Sequence, residues 1–156
     1  MRNRELNKQR DVLESLFRRT SEASKGDIEI QSHWAKYLCV LIAGFLENAL
    51  SQLYSEFCHN AASEPVARFA EKVLNRIQNP KITRFVETAS SFKKSWGEDL
   101  ETFAEDRGRK EAINSIMTQR HRIAHGKSSD ITIARVREYY ERALELLEFV
   151  EDQLTE

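Results

Sequence analysis

Seven consecutive residues, Arg120-His121-Arg122-Ile123-Ala124-His125-Gly126, combine side-chain types that can act on a phosphodiester. A guanidinium presents a rigid fork of donors to phosphoryl oxygens, and an imidazole exchanges protons near neutral pH. Upstream, Ile113, Ile116 and Met117 recur at three- and four-residue spacing, which marks the buried stripe of an amphipathic helix, and Arg120 takes the next place on that stripe. A charge that cannot be shed is costly to bury without a carboxylate, a hydrogen-bond network or an anionic ligand. Glu47 and Asn48 interrupt the most apolar stretch of the chain, and Glu47 is the expected partner of Arg120. His125 is followed by Gly126, the residue type that most readily ends a helix in the left-handed conformation, so His125 belongs to the last turn. From Asp106 to Lys127 the bases Arg107, Arg109, Lys110, Arg120, Arg122 and Lys127 oppose only Asp106 and Glu111. That is a local excess of four positive charges in a chain of net charge −1, a pattern suited to a small reader of anionic ligands, with Arg109, Lys110, Arg122 and Lys127 as its contacts.

Other chemistry is weaker. His121 and His125 have the one-turn spacing of a metal pair, but no glutamate follows His121, and His33, His59, Cys39 and Cys58 offer no evident third ligand. Neither a metal nor a cofactor is therefore expected. Cys58 and His59 are adjacent, and adjacent helical side chains point about 100° apart, which argues against a nucleophile–base pair. No phosphate-cradling glycine loop and no Ser-His-Asp arrangement occurs.

The elements that must position these residues read as helices. At 156 residues the chain is long enough for one domain with a real core, and two prolines, five glycines and almost no strand-type alternation indicate an all-α fold. The near-neutral net charge argues against a general electrostatic grip on nucleic acid or membrane. No secretion signal is evident, and the longest apolar run, Tyr37 to Leu46, falls short of the ~20 residues of a membrane span. Cys39 and Cys58 read as buried reduced thiols, so a cytoplasmic protein with no membrane partner is expected.

In chain order, a polar helix with a narrow apolar edge runs from Met1 to about Ala23, and Ser24 to Asp27 break it. The longest helix spans about Ile28 to Asn60; between Tyr37 and Leu50 it is so apolar that cover on all sides is expected, and Gly44 leaves room for a neighbouring helix. Ser63 and Pro65 open a short helix from Val66 to about Gln78, and another runs from about Lys81 to Phe92. Ser90 to Gly108, with Trp96-Gly97 and alternating charge, is irregular by composition and reads as a loop or short helical turns, mobile and near the surface. The motif helix follows from Arg109 to His125, then a loop, then a closing helix from about Ile131 to Gln153. The sum is a bundle of four main helices with one or two short additional ones.

The motif resembles the Arg-x4–6-His motif of HEPN domains, in which Asn, Asp or His commonly follows the arginine. Gly44-Phe45-Leu46-Glu47-Asn48 is similar to the Gly-Phe-(aliphatic)-Glu segment in the core helix of the RiboL-PSP-like branch. The likeness covers most of the chain in order: long core helix, variable middle, motif helix, closing helix. It implies a helical bundle and a metal-independent endoribonuclease that dimerises to bring two motifs into one cleft. Arg120 and His125 would be the catalytic pair, and His121 the polar residue that tunes the site. Branches paired with nucleotidyltransferase antitoxins often carry His-x-Tyr, whereas Lys127 stands at the tyrosine position here, which argues against silencing by tyrosine modification.

The implied reaction is attack of a ribose 2′-OH on the adjacent phosphorus, leaving a 2′,3′-cyclic phosphate and a 5′-OH. One helix end offers a single imidazole in this reading, and a two-fold axis supplies the second. The resemblance suggests a toxin or phage-defence effector, with RNA, a second copy and an antitoxin or sensor protein as partners. Two alternatives remain open: a non-catalytic HEPN module that binds RNA or a protein through the same face, and a structural adaptor in which Arg120–Glu47 is a buried ion pair serving packing.

Overall fold

Three of the long helices begin on a side chain that satisfies an orphan amide. Asn3 Oδ1 accepts from Leu6 N at 2.9 Å and starts α1 (Arg4–Ala23). Asp27 Oδ1 accepts from Ile30 N at 3.0 Å and starts α2 (Ile28–Ala61), and Thr132 Oγ1 accepts from Arg135 N at 3.2 Å and starts α7 (Ile133–Gln153). Between them lie α3 (Glu64–Leu74), α4 (Ile82–Phe92), α5 (Lys94–Glu105) and α6 (Arg109–Ala124). The structure, a computed structural model, describes residues 1–155.

The fold is an all-α bundle of four long helices, α1, α2, α6 and α7, with shorter helices over one end. Side-chain contacts fix the directions. Asn48 donates to Gln9 and Asn3 to Glu56, so α1 and α2 are antiparallel. Arg109 pairs with Glu145 and Ser129 donates to Gln119, so α6 runs antiparallel to α7. Glu14 pairs with Arg137 and Asn3 N donates to Glu151, so α7, like α2, is antiparallel to α1, and α6 is antiparallel to α2, with Cys39 Sγ 3.6 Å from Ile116 O. Leu38, Ile42, Leu46 and Leu50 of α2 are fully buried against Leu6 of α1, Ile113 and Ile116 of α6, and Val136, Tyr140 and Leu147 of α7. The buried Glu151 of α7 accepts from the amides of Arg2 and Asn3, which ties the start of α1 to the end of the closing helix.

Two expectations are corrected. Ser90 to Gly108 is not an irregular segment: it contains α5, with Trp96, Leu100 and Ala104 buried at four-residue spacing, and a 3-10 turn, Asp106–Gly108. The glycine that read as a breaker is a packing device. A Cβ at Gly97 would fall on Ser90 Oγ, 2.9 Å from Ser90 Cβ and 3.1 Å from Val86 O, so α5 meets α4 too closely for a side chain. Gly97→Ala should therefore destabilise the fold by about 1–3 kcal/mol, with partial recovery when combined with Ser90→Gly, as read from thermal melts of the two variants.

The second correction concerns α2, which is not covered on all sides. Tyr37 is 49% exposed, Val40 36% exposed, and Gly44 also faces solvent. Outside the backbone of α2 itself, no heavy atom of the described residues lies within 4 Å of the place a Cβ would take at Gly44, so no described helix uses the room it leaves. By length and composition α2 could cross a membrane, but it is the core helix of the bundle, and 67% of its most apolar window is buried inside the fold.

Candidate functional site

The end of α6 is closed by a Schellman motif. Lys127 N donates to Arg122 O at 2.9 Å and Gly126 N to Ile123 O at 3.1 Å, with Gly126 at φ +64°. Arg122 then clasps the following loop: its Nε and Nη2 both donate to Ser128 O, at 3.0 and 2.8 Å. Ser129 Oγ donates to Gln119 Oε1 at 2.8 Å, a second tie between loop and helix. Gly126 and the clasp thus hold His125 and Lys127 at a fixed helix end. Gly126→Ala places a Cβ in the left-handed region and is expected to cost about 1 kcal/mol. That corresponds to a melting temperature lower by roughly 2–4 °C, with Gly126→Asn less affected because asparagine tolerates the conformation.

His121 and His125 lie on one face of this end, ring centroids 4.3 Å apart and planes tilted by 55°. Both residues are exposed, and the amide of His125 donates to the carbonyl of His121. Among the described residues no third His, Cys, Asp or Glu joins them in a metal-binding group. Arg120 is half-buried and Lys127 exposed. Among the described residues neither side chain forms an ion pair or a hydrogen bond. The result is an uncompensated basic edge with two imidazoles on it, open to solvent. The cleft of about 720 Å³ between α1 and α7 is a separate feature, lined by Glu14, Phe17, Arg18 and Arg137 and by none of the motif residues.

Several expected members of the site stand elsewhere. Glu47 does not pair with Arg120: its Oε2 accepts from Asn79 N at 2.5 Å and pins the connection between α3 and α4. The reason is helix direction. Cys39 faces Ile116, so one turn further along α6 Arg120 reaches the level of Ala35, twelve residues from Glu47, or about 18 Å along α2. Asn48 donates to Gln9 and joins α2 to α1 rather than to the motif.

Arg109 is not on the outer surface. It is 5% exposed, its Nε is 2.8 Å from Glu145, its Nη1 donates to the carbonyls of Phe103 and Asp106, and its guanidinium lies 3.9 Å from the Phe103 ring centre. Lys110 is bound to Glu105 at 2.5 Å, and that carboxylate raises its pKa. Arg107, at the far end of α6, lies 3.8 Å from Asp106, so the available cations at the motif end of the patch are Arg120, Arg122 and Lys127. The Arg122–Ser128 clasp escaped the sequence reading, since a backbone carbonyl as acceptor leaves no mark in residue types. The thiols behave as expected for core groups: burial pushes Cys39 up to about 12 and raises Cys58, while His59 is hydrogen-bonded to Glu71 instead of serving Cys58.

A family model described as RiboL-PSP-HEPN matches residues 4–156. No curated protein and no solved structure gives a significant match.

Proposed function

The chain belongs to the RiboL-PSP-HEPN family, and on that premise we propose that it is a metal-independent endoribonuclease. Membership supports a nuclease or RNA-binding module in general. The finer reading is carried by one observation: Arg120 and the His121–His125 pair share an uncompensated basic helix end, with no carboxylate of the described residues bound to them. In this reading His125 exchanges a proton with the reacting ribose or leaving oxygen. Arg120 stabilises the charge that builds on the phosphoryl oxygens, a contribution of roughly 3–4 kcal/mol for one such group. His121 belongs to the same site, and Arg122 and Lys127 flank the RNA backbone. The products are a 2′,3′-cyclic phosphate and a 5′-OH.

A homodimer is part of the proposal. Exposed Tyr37 and Val40 share a face of α2 with Gly44, and Val12 of α1 lines the same groove as Gly44; this contiguous exposed apolar strip supports an interaction surface for a second copy. The setting as a toxin or phage-defence effector restrained by an antitoxin or sensor protein rests on the family resemblance. The test is incubation of the purified protein with total RNA in the presence of chelator, with end-group analysis of the products. Cleavage leaving 2′,3′-cyclic phosphates supports the reading. Binding without products instead identifies a non-catalytic module.

A further inference from the structure

We infer that the outer face of α3 is a second RNA contact, in which Phe69 stacks on a base and Lys72 and Arg76 hold the backbone beside it. The inference rests on the ribonuclease reading above and concerns where the rest of the strand lies. Phe69 is 71% exposed, the most open aromatic side chain among the described residues. Val66 and Val73, three residues before it and four after, are exposed on the same face. An apolar ridge of this kind marks a surface that something covers.

The ridge is held firmly. Ala67 and Leu74 of α3 are buried, and Ile77 follows them into the core. Ser51 Oγ donates to Asn75 Oδ1 at 2.5 Å, and His59 Nε2 lies 3.2 Å from Glu71. Phe69 is thus presented on a fixed helix, so little ordering of the backbone accompanies binding.

Charge decides what covers it. Between Glu64 and Arg84, Arg68, Lys72, Arg76, Lys81 and Arg84 oppose only Glu64 and Glu71, an excess of three positive charges. At about 100° per residue, Lys72 lies about 60° from Phe69 on one side and Val73 about 40° on the other. Arg76 follows in the turn after the helix. The two carboxylates are engaged, Glu64 with Arg68 at 3.5 Å and Glu71 with His59, and both lie roughly 140° or more around the helix from Phe69. Among the described residues the side chains of Lys72, Arg76 and Lys81 form no ion pair or hydrogen bond. An open aromatic ring at the edge of a row of free cations suits a single strand of nucleic acid, whose bases offer a face to the ring and whose phosphates meet the cations. An apolar protein groove matches Val66, Phe69 and Val73 but leaves the cations unanswered.

Distance sets the role of this contact. His59 places the ridge at the last turns of α2, whereas Arg120 stands at the level of Ala35, about 36 Å away along that helix. A stacked strand rising about 3.4 Å per nucleotide needs roughly eleven nucleotides to cover the span. The α3 face therefore serves long strands and stays clear of the reacting phosphodiester.

The experiment uses the full chain: wild type, Phe69→Ala, Phe69→Leu, Phe69→Trp and the double variant Lys72→Gln with Arg76→Gln, each with its melting temperature recorded. The binding probe is a fluorescent 2′-O-methyl oligoribonucleotide of about 20 nucleotides, longer than the span, which lacks the attacking hydroxyl and is held without being cut. Phe69→Ala should weaken binding by about 5–100-fold, the range for one base–aromatic stack. Phe69→Trp should match wild type, and Phe69→Leu should be as weak as alanine. The double variant should reduce the slope of log affinity against log salt by about 1.4, two phosphate contacts of a single strand. On unmodified RNA of the same length KM should rise with kcat unchanged. Cleavage of a strand of about four nucleotides, too short to reach α3, should be the same in all these proteins.

Wild-type binding of the long probe by Phe69→Ala overturns the inference, and cleavage intact in that variant but lost in His125→Ala then leaves the ribonuclease reading standing. Phe69→Leu binding as tightly as wild type also overturns it, since leucine keeps an apolar docking face but not a stacking one. Binding that depends on Phe69 in a wild type that cuts no RNA supports the contact and sinks the ribonuclease reading alone.

Discussion

Arg120→Ala is expected to slow RNA cleavage by about 10²–10³-fold, the usual cost of removing one preorganised group from developing oxyanion charge. The same change should leave the fold as stable as before, or slightly more so. The side chain is half-buried on a stripe that otherwise carries Ile113, Ile116 and Met117, and among the described residues it has no carboxylate or hydrogen-bond partner. A structural arginine behaves in the opposite way, because its loss leaves partners unsatisfied. The separation of the two readouts is therefore the diagnostic: initial rates on RNA with chelator against melting temperature. Arg120→Lys should recover only part of the rate, since an ammonium keeps the charge but loses the two-pronged geometry. A fall in melting temperature that parallels the fall in rate would turn Arg120 into a packing residue. Stability set aside for an unpaired charge is the pattern expected where function competes with folding.

Much of this architecture is legible in the residues. Asp27 sits where a capping side chain should, Asn3 and Thr132 cap helices whose expected starts, Met1 and Ile131, lie just before them, and the stripes of α1, α2, α6 and α7 fall within a few residues of their expected limits. The segment around Gly97 is not, because a glycine at a close helix contact and a glycine in a loop look alike in one sequence. The end of α6 is legible too, since Gly126 marks it.

What sequence cannot supply is the level at which antiparallel helices meet. Glu47 and Arg120 are a reasonable pair by type, and only the Cys39–Ile116 contact reveals that they lie at different heights. The two arginines of α6 make the same point. Arg109, Ile113, Ile116 and Arg120 are spaced four, three and four apart, so both guanidiniums occupy the buried phase of one helix. Glu145 meets the first, and no carboxylate among the described residues meets the second.

That difference yields a large expected effect on stability. Arg109 joins three elements: it pairs with Glu145 of α7, donates to the carbonyls of Phe103 and Asp106 at the end of α5, and lies over the Phe103 ring, which itself stacks on Phe149 at 4.2 Å. Arg109→Ala removes all of these together and opens space between α5 and α6. Loss of one partner of a buried pair costs about 3–5 kcal/mol. Glu145 is 42% exposed and regains water on one side, so about 2–4 kcal/mol is the expected loss. At roughly 2–4 °C per kcal/mol for a chain of this size, that is a drop in melting temperature of roughly 4–16 °C. Because Arg109 begins the helix that Arg120 and the histidines end, the folded variant should still bind and cut RNA at low temperature, with activity lost on warming in step with the melt. Replacing both members, Arg109→Met with Glu145→Leu, should restore most of the stability if the pair serves packing. A variant that melts like wild type yet binds RNA more weakly would return Arg109 to the RNA-facing set assigned to it from charge alone.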